Sequence, residues 1–241
     1  MPGLGTVINA AAIVLGGVAG LLCGRLIKPR IQETLMSACG VCVLFLGISG
    51  AMEKMLSCAA DGRLSGGGTM MIIFSIVLGG LVGSIINIEG KMERFGEWLK
   101  RKSHSENDGG FVDGFLNASL TVCIGAMAVV GSIQDGILGD ISTLTAKAVL
   151  DLIIVLIMTA AKGRGCIFSA IPVAIFQGTI TALSRLIEPL MTTAALDNLS
   201  MVGSILIFCV GVNLVWGKKV RVADLLPALI LAVACAYIPW F

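Results

Sequence analysis

Lys147 and Asp151 stand one helical turn apart in the run AKAVLDLIIV (Ala146–Val155), whose other residues are all apolar. Thr143 lies one turn earlier, so the three side chains share a helix face. A carboxylate in such surroundings can hold a proton, an inorganic cation or the cationic group of a solute, with the ammonium as counter-charge. The same pair can also neutralise itself and join helices. A second polar line, Asn117, Thr121, Gly125, Ala128, Ser132 and Asp135, follows helical steps into VGSIQDGILGD (Val130–Asp140). A segment this rich in glycine and acid can unwind, so that backbone carbonyls with Gln134 and Asp135 coordinate an ion; the alternative is an ordinary external turn. Further on, Pro172 should kink its helix, and Gln177 and Thr181 follow it one turn apart. Asn9, Gln177 and Asn213 are expected to line one cavity or to hydrogen-bond between helices. The candidate solute- or ion-binding residues are therefore Asp151, Lys147, Asn117, Gln134, Asp135 and Gln177.

Other chemistries find little support. Seven of the eight cysteines, Cys39 and Cys42 among them, fall in or beside apolar runs, where cysteine behaves as a small hydrophobe. The sole histidine, His104, lies in a polar loop, so no paired zinc ligands arise. The stretch SGGGTM (Ser65–Met70) lacks the Gly-Lys-Ser/Thr ending of a phosphate loop. A serine protease would need a base within the apolar runs, and an aspartyl protease two facing acids. Asp140 and Asp151 are the available acids, but ILGD carries Ile137 in place of the first glycine of a Gly-x-Gly-Asp loop. Neither an enzyme nor a cofactor is expected.

The elements that must position these residues are set by composition. Of 241 residues 56% are hydrophobic, 31 are glycine and only 13% are charged, against about 25% in soluble domains. Apolar stretches of about 20 residues, enough to cross a hydrocarbon core, recur throughout, without the alternation of an outer-membrane barrel. The fold class is all-α, a polytopic membrane protein forming one transmembrane domain over 1–241 with the lipid bilayer as its surroundings. Eight spans are expected, at 5–24, 35–53, 70–88, 111–132, 142–161, 166–184, 199–216 and 223–240. The first basic residue, Arg25, follows the first span, so a cleaved signal peptide is not expected. A net charge of +2 gives no pull toward nucleic acid.

Lys and Arg sort the connections. Thirteen lie after spans 1, 3, 5 and 7 (Arg25–Arg30, Lys91–Lys102, Lys162–Arg164, Lys218–Arg221), against Lys54, Arg63 and Arg185 on the other side. The positive-inside rule then places the first set in the cytoplasm and both termini outside. Trp98, Trp216 and Trp240 fall near the expected interfaces. Residues 89–110 begin with Met92, Phe95, Trp98 and Leu99 at helical spacing, either an amphipathic surface helix or a solvated connector, and end in a polar tail expected to be mobile. DGRLSGGGTM (Asp61–Met70) reads as a flexible external loop.

The chain also repeats itself. AIVLGGVAGLLCGRLIKP (Ala12–Pro29) aligns with VAIFQGTITALSRLIEP (Val173–Pro189) with one gap, each ending in Arg-Leu-Ile-x-Pro. Each copy leads into a span with spaced glycines, Gly40 and Gly47 in one, Gly203 and Gly211 in the other. Five spans separate the starts, so the second copy crosses upside down, and Lys28 becomes Glu188 where positives are disfavoured. SIVLGGLVGSI (Ser75–Ile85) echoes AIVLGGVAGLL (Ala12–Leu22) in the same orientation. Repeat units of about 5–53, 70–132 and 166–216 follow, with 142–161 as a linking helix and 223–240 as a final one. Inverted repeats characterise secondary transporters; chance likeness among glycine-rich helices is the alternative. The small residues at four-residue spacing, Gly16, Gly20 and Gly24, and Ser75, Gly79 and Gly83, are packing faces and are compatible with a homodimer.

GTVINAAAIVLGGVAGLLCG, the span ends GISGAME and VGSIQDG, and AKAVLDLIIV together resemble a bacterial inner-membrane family catalogued as domain of unknown function 554, which includes the YdfK-like proteins. The resemblance covers nearly the whole chain. It implies a multi-spanning bacterial membrane protein and carries no role to any residue. The residues themselves favour a secondary transporter or permease for a small polar solute or ion, coupled to a proton or cation through Asp151. A structural or regulatory membrane subunit is the main alternative, and a passive channel or an intramembrane enzyme are others.

Overall fold

The computed structural model describes residues 2–26, 29–58, 64–105, 109–123 and 126–238. The fold is all-α and polytopic. Its elements are α1 (Leu4–Leu26), α2 (Pro29–Met55), a hairpin of β1 (Leu56–Cys58) and β2 (Leu64–Gly66), α3 (Thr69–Ile86), α4 (Ile88–Lys102), α5 (Phe111–Cys123) and α6 (Ala126–Leu138). Then come α7 (Ser142–Lys162), a 3₁₀ turn (Arg164–Ser169), α8 (Ala170–Ala182), α9 (Ser184–Ile187), α10 (Thr193–Trp216) and α11 (Pro227–Cys235).

Among the described residues, six helical segments are long and apolar enough to cross a membrane, beginning at Leu4, Ser37, Thr69, Ser142, Arg164 and Thr193. The expected span over 111–132 is instead two helices, α5 and α6, whose axes differ by 61° and which count as a seventh span if taken together. The expected eighth span is short. Val222–Cys235 opens with a 3₁₀ turn before Pro227 starts α11, so it has fewer residues than a full crossing needs. Pro172 does not kink a helix interior, because it falls in the first turn of α8, where amides lack intrahelical acceptors in any case. The loop after α2 is partly a strand pair, with Ser57 opposite Ser65. Residues 59–63, 106–108 and Trp240, on which other expectations fall, lie outside the described residues.

Small residues set the helix seams. A Cβ on Gly16 or Gly20 would fall onto the carbonyl oxygens of Leu152 and Leu156, and one on Gly24 would stand 2.8 Å from that of Ala160. The contacts advance together, so α1 and α7 run parallel with backbones touching. In α3, Gly79 and Gly83 meet Ala228 and Asp224, and Ser75 meets Cys235 at 3.9 Å, so α11 runs antiparallel to α3. A Cβ on Gly47 would be 2.5 Å from the Phe208 amide nitrogen, and one on Gly211 2.8 Å from that of Leu44. α2 and α10 thus clasp antiparallel. The glycine faces compatible with a homodimer are covered by helices of the same chain.

Basic segments meet at one end. Asn87, in the left-handed region (φ 54°), turns α3 into α4 and caps it. Buried Glu89 and Asp224 then cap each other's helix starts: the Glu89 amide donates to Asp224 Oδ1 (2.9 Å), and the Ala223 amide to Glu89 Oε2 (3.2 Å). Lys218 pairs with Glu89 at 2.9 Å and with Glu93, and Arg221 with Asp224 at 3.2 Å. Burial works against the Lys218 charge, but the bonds and charges of Glu93 and Glu89 outweigh it and hold its pKa above the usual value. The expected amphipathic helix is α4, which buries Gly96 and Leu99 and stacks Phe95 on half-exposed Trp98 (centroids 5.8 Å apart).

Candidate functional site

Asp151 is the tenth of 21 residues in α7 and only 4% exposed; Lys147 is 6% exposed. The Lys147 ammonium donates to Asp151 Oδ2 and to the Val122 carbonyl at 2.7 Å. That carbonyl lies in the last turn of α5, beside the break in the bent span. Carbonyls at a helix end lack partners and carry negative dipole, so the ammonium answers the helix terminus and the carboxylate together. From α1, Asn9 donates through Nδ2 to Asp151 Oδ2 (3.0 Å) and to Gln177 Oε1 of α8 (3.3 Å). Both amides are fully buried. Four elements thus converge on one ion pair, and Asn9 Oδ1 and Gln177 Nε2 still have no partner among the described residues.

Of the residues expected to act together, Lys147 and Asp151 do meet, and Gln177 reaches them through Asn9. Asp135 is fully buried but stands at the start of α1, where its Oδ2 accepts from the Gly5 amide at 3.0 Å, a cap supplied from another helix. Gln134 joins α6 to α7 by accepting from the Thr143 hydroxyl (2.7 Å). Val130–Leu138 stays helical, so the backbone there does not open for an ion. Asn117 faces a small polar cavity of about 70 Å³ with Glu89, Asp113, Lys162 and Lys218, at the basic end. Asn213 is also apart from the cluster: it accepts from the Lys219 and Val220 amides (2.8 and 2.9 Å) and closes the turn after α10. Asn9 and the Val122 carbonyl complete the cluster. The sequence signals the first only by its polarity, and no side chain signals the second.

An apolar cleft of about 600 Å³ lies between α5, α6, α8, α10 and α11, with Ser119 the single polar residue in its lining. Its walls offer a solute little besides hydrocarbon. Among the described residues, no three of His, Cys, Asp and Glu cluster as metal ligands.

Helices of spanning length, seams made by glycine and a buried ion pair at the centre of one span define a polytopic α-helical membrane protein with an intramembrane charge site. Residues 4–237 match a protein family described as "Protein of unknown function (DUF554)", and the chain belongs to that family. It is 28% identical to "Uncharacterized membrane protein YdfK" of Bacillus subtilis (strain 168), over 94% of this chain and 93% of the other. It is likewise 28% identical to "Uncharacterized protein YqgA" of Escherichia coli (strain K12), over 99% of each. No solved structure matches.

Proposed function

We propose that the protein is a secondary transporter of the bacterial inner membrane that moves a small polar solute or ion, with Asp151 as the coupling residue. One observation carries this reading. A carboxylate and an ammonium sit buried at the centre of α7, against the broken span α5–α6, and two buried amides beside them each keep an unpaired polar atom. Charges within a bilayer are costly and are kept mainly for pathways, relays and ligand sites, and helix ends at mid-depth are how carriers present backbone dipoles to their cargo. The inverted-repeat reading is supported by one feature of the packing: α2 and α10, the spans that follow the two Arg-Leu-Ile-x-Pro copies, clasp through Gly47 and Gly211, each glycine against the other helix's backbone. With positives inside, the basic end faces the cytoplasm and the start of α1 faces out; Tyr237, just past the short α11, donates to the Leu190 carbonyl (2.8 Å) in the turn between α8 and α10, which sets the chain beyond α11 on that outer side as well. The chemistry is not enzymatic in this reading, since Asp140 is exposed before the start of α7, whose first residue, Ser142, already stands about 14 Å along the helix axis from Asp151.

A structural role for the cluster has one observation in its favour: Lys147 and Asp151 neutralise each other and tie α7 to α5 and α1. Thermal unfolding of the detergent-purified protein against ions and small metabolites separates the two. A ligand of the folded state raises the melting temperature with its saturation, and the carrier reading expects such a rise in the wild type and its loss in Asp151→Asn. A panel that moves nothing, together with an Asp151→Asn protein that only melts earlier, leaves the structural reading.

A further inference from the structure

Five buried polar atoms lack a hydrogen-bond partner among the described residues along one strip between α1, α6 and α8: Thr6 Oγ1, Asn9 Oδ1, Asp135 Oδ1, Gln177 Nε2 and Thr181 Oγ1. Each belongs to a residue at least nine-tenths buried. The strip is continuous in the contacts that frame it. Asn9 bridges Asp151 and Gln177. Thr6 lies one turn back along α1, next to Gly5, whose amide holds Asp135. Thr181 lies one turn on from Gln177, and its carbonyl packs on Gly136, the neighbour of Asp135 (2.6 Å from a Cβ placed there). The Ser119 and Thr159 hydroxyls are also unpaired, but they stand on α5 and late in α7, off this line.

A buried polar atom left unpaired is destabilising, and buried polar atoms without protein partners are characteristically satisfied by ordered water. Five in one strip, both donors and acceptors, suit water better than any single rigid ligand. We propose that this strip holds a file of water molecules carrying protons between the membrane face at which α1 begins and Asp151, which makes the proton the coupling ion of the carrier described above, a role that rests on that reading. A proton entering beside Asp135 is passed by exchange of O–H bonds along the file. The last water gives its proton to the Asp151 carboxylate: one O–H bond forms there as one breaks on that water, which is re-protonated from the entry side. The charged and titratable groups facing Asp151 are Lys147 on its own helix and Cys123 at the end of α5, while α1 and α8 present amides. When Asp151 takes the proton, the Lys147 ammonium still has the Val122 carbonyl as its acceptor, so the pair parts without leaving that ammonium unpartnered.

X-ray radiolysis footprinting of the unaltered protein reads bound water directly, because hydroxyl radicals made from ordered water modify adjoining side chains. Leu144, fully buried beside Gly5 and Asp135, should be modified several-fold faster than Leu206 of α10, equally buried in the apolar core. Equal protection of the two overturns the proposal. In a chain cleared of its native cysteines, Thr6→Cys and Thr181→Cys should react with a small charged thiol reagent from one membrane face only, while lipid-facing Val7→Cys, 64% exposed, stays inert. Reaction from neither face, or equally from both, overturns it as well. The carrier reading fails separately: a hydrated strip in a protein whose ligand response survives Asp151→Asn removes Asp151 from coupling and leaves the water file standing.

Discussion

A buried pair of opposite charges is tested by taking it apart in two ways. Removing one partner leaves an uncompensated charge and costs about 3–5 kcal/mol, whereas replacing both with apolar residues of similar size is close to neutral. Lys147→Met should therefore lower the unfolding midpoint sharply, and Lys147→Met with Asp151→Leu should recover most of that loss while staying inactive in transport. A double variant no more stable than the single one would deny that the two charges act as a unit. The pair is legible in the sequence because charge is scarce in Ala146–Val155 and the four-residue spacing fixes a common face. Its neighbours are less so. Asn117, Gln134 and Asn213 have the polarity of site residues, but periodicity gives the face of a helix and not what lies opposite, and each is committed elsewhere. The Val122 carbonyl is a backbone group exposed by a break, and no side chain announces it.

At the scale of elements, the glycine spacing foretold the seams, and the seams make a contrast. A methyl group at Gly47 meets the Phe208 backbone, an overpacking that costs about 1–3 kcal/mol against about 1 kcal/mol gained by alanine in a helix. Gly178 faces open space and keeps only the gain. Gly47→Ala should melt below the wild type and Gly178→Ala at or above it; a Gly47→Ala protein that melts at or above the wild type would contradict the close α2–α10 contact. In the fourth span, glycine and acid concentrate in Val130–Asp140, which read as a stretch able to unwind or as an external turn. There, however, the glycines serve contact: Gly131 receives Leu144 and Gly136 the Thr181 carbonyl, so α6 stays helical. The chain departs from the span ten residues earlier, between Cys123 and Ala126. The short final helix was overestimated because apolar length alone does not register the 3₁₀ start before Pro227.

For the whole molecule, composition alone set the class: too few charges to cover a soluble surface, and enough apolar runs for a bundle. Two of the four basic segments the positive-inside rule grouped together, those after the third and seventh spans, do meet, through Lys218, Glu89, Glu93 and Asp224. With that end in the cytoplasm, alkaline phosphatase fused after the last residue should be active and a fluorescent protein there dark, with the opposite result for fusions after Lys100; the reverse pattern would invert the topology. The central claim is that Asp151 couples movement of a solute or ion. Charge displacement by proteoliposomes on a solid-supported membrane tests it most directly, using concentration jumps of protons, alkali cations and small cationic or zwitterionic solutes. The wild type should give a saturable transient with at least one of them, retained in Asp224→Asn at the basic end and absent in Asp151→Asn. A folded, reconstituted wild type silent to the whole panel, or the same transient in Asp151→Asn, would contradict it.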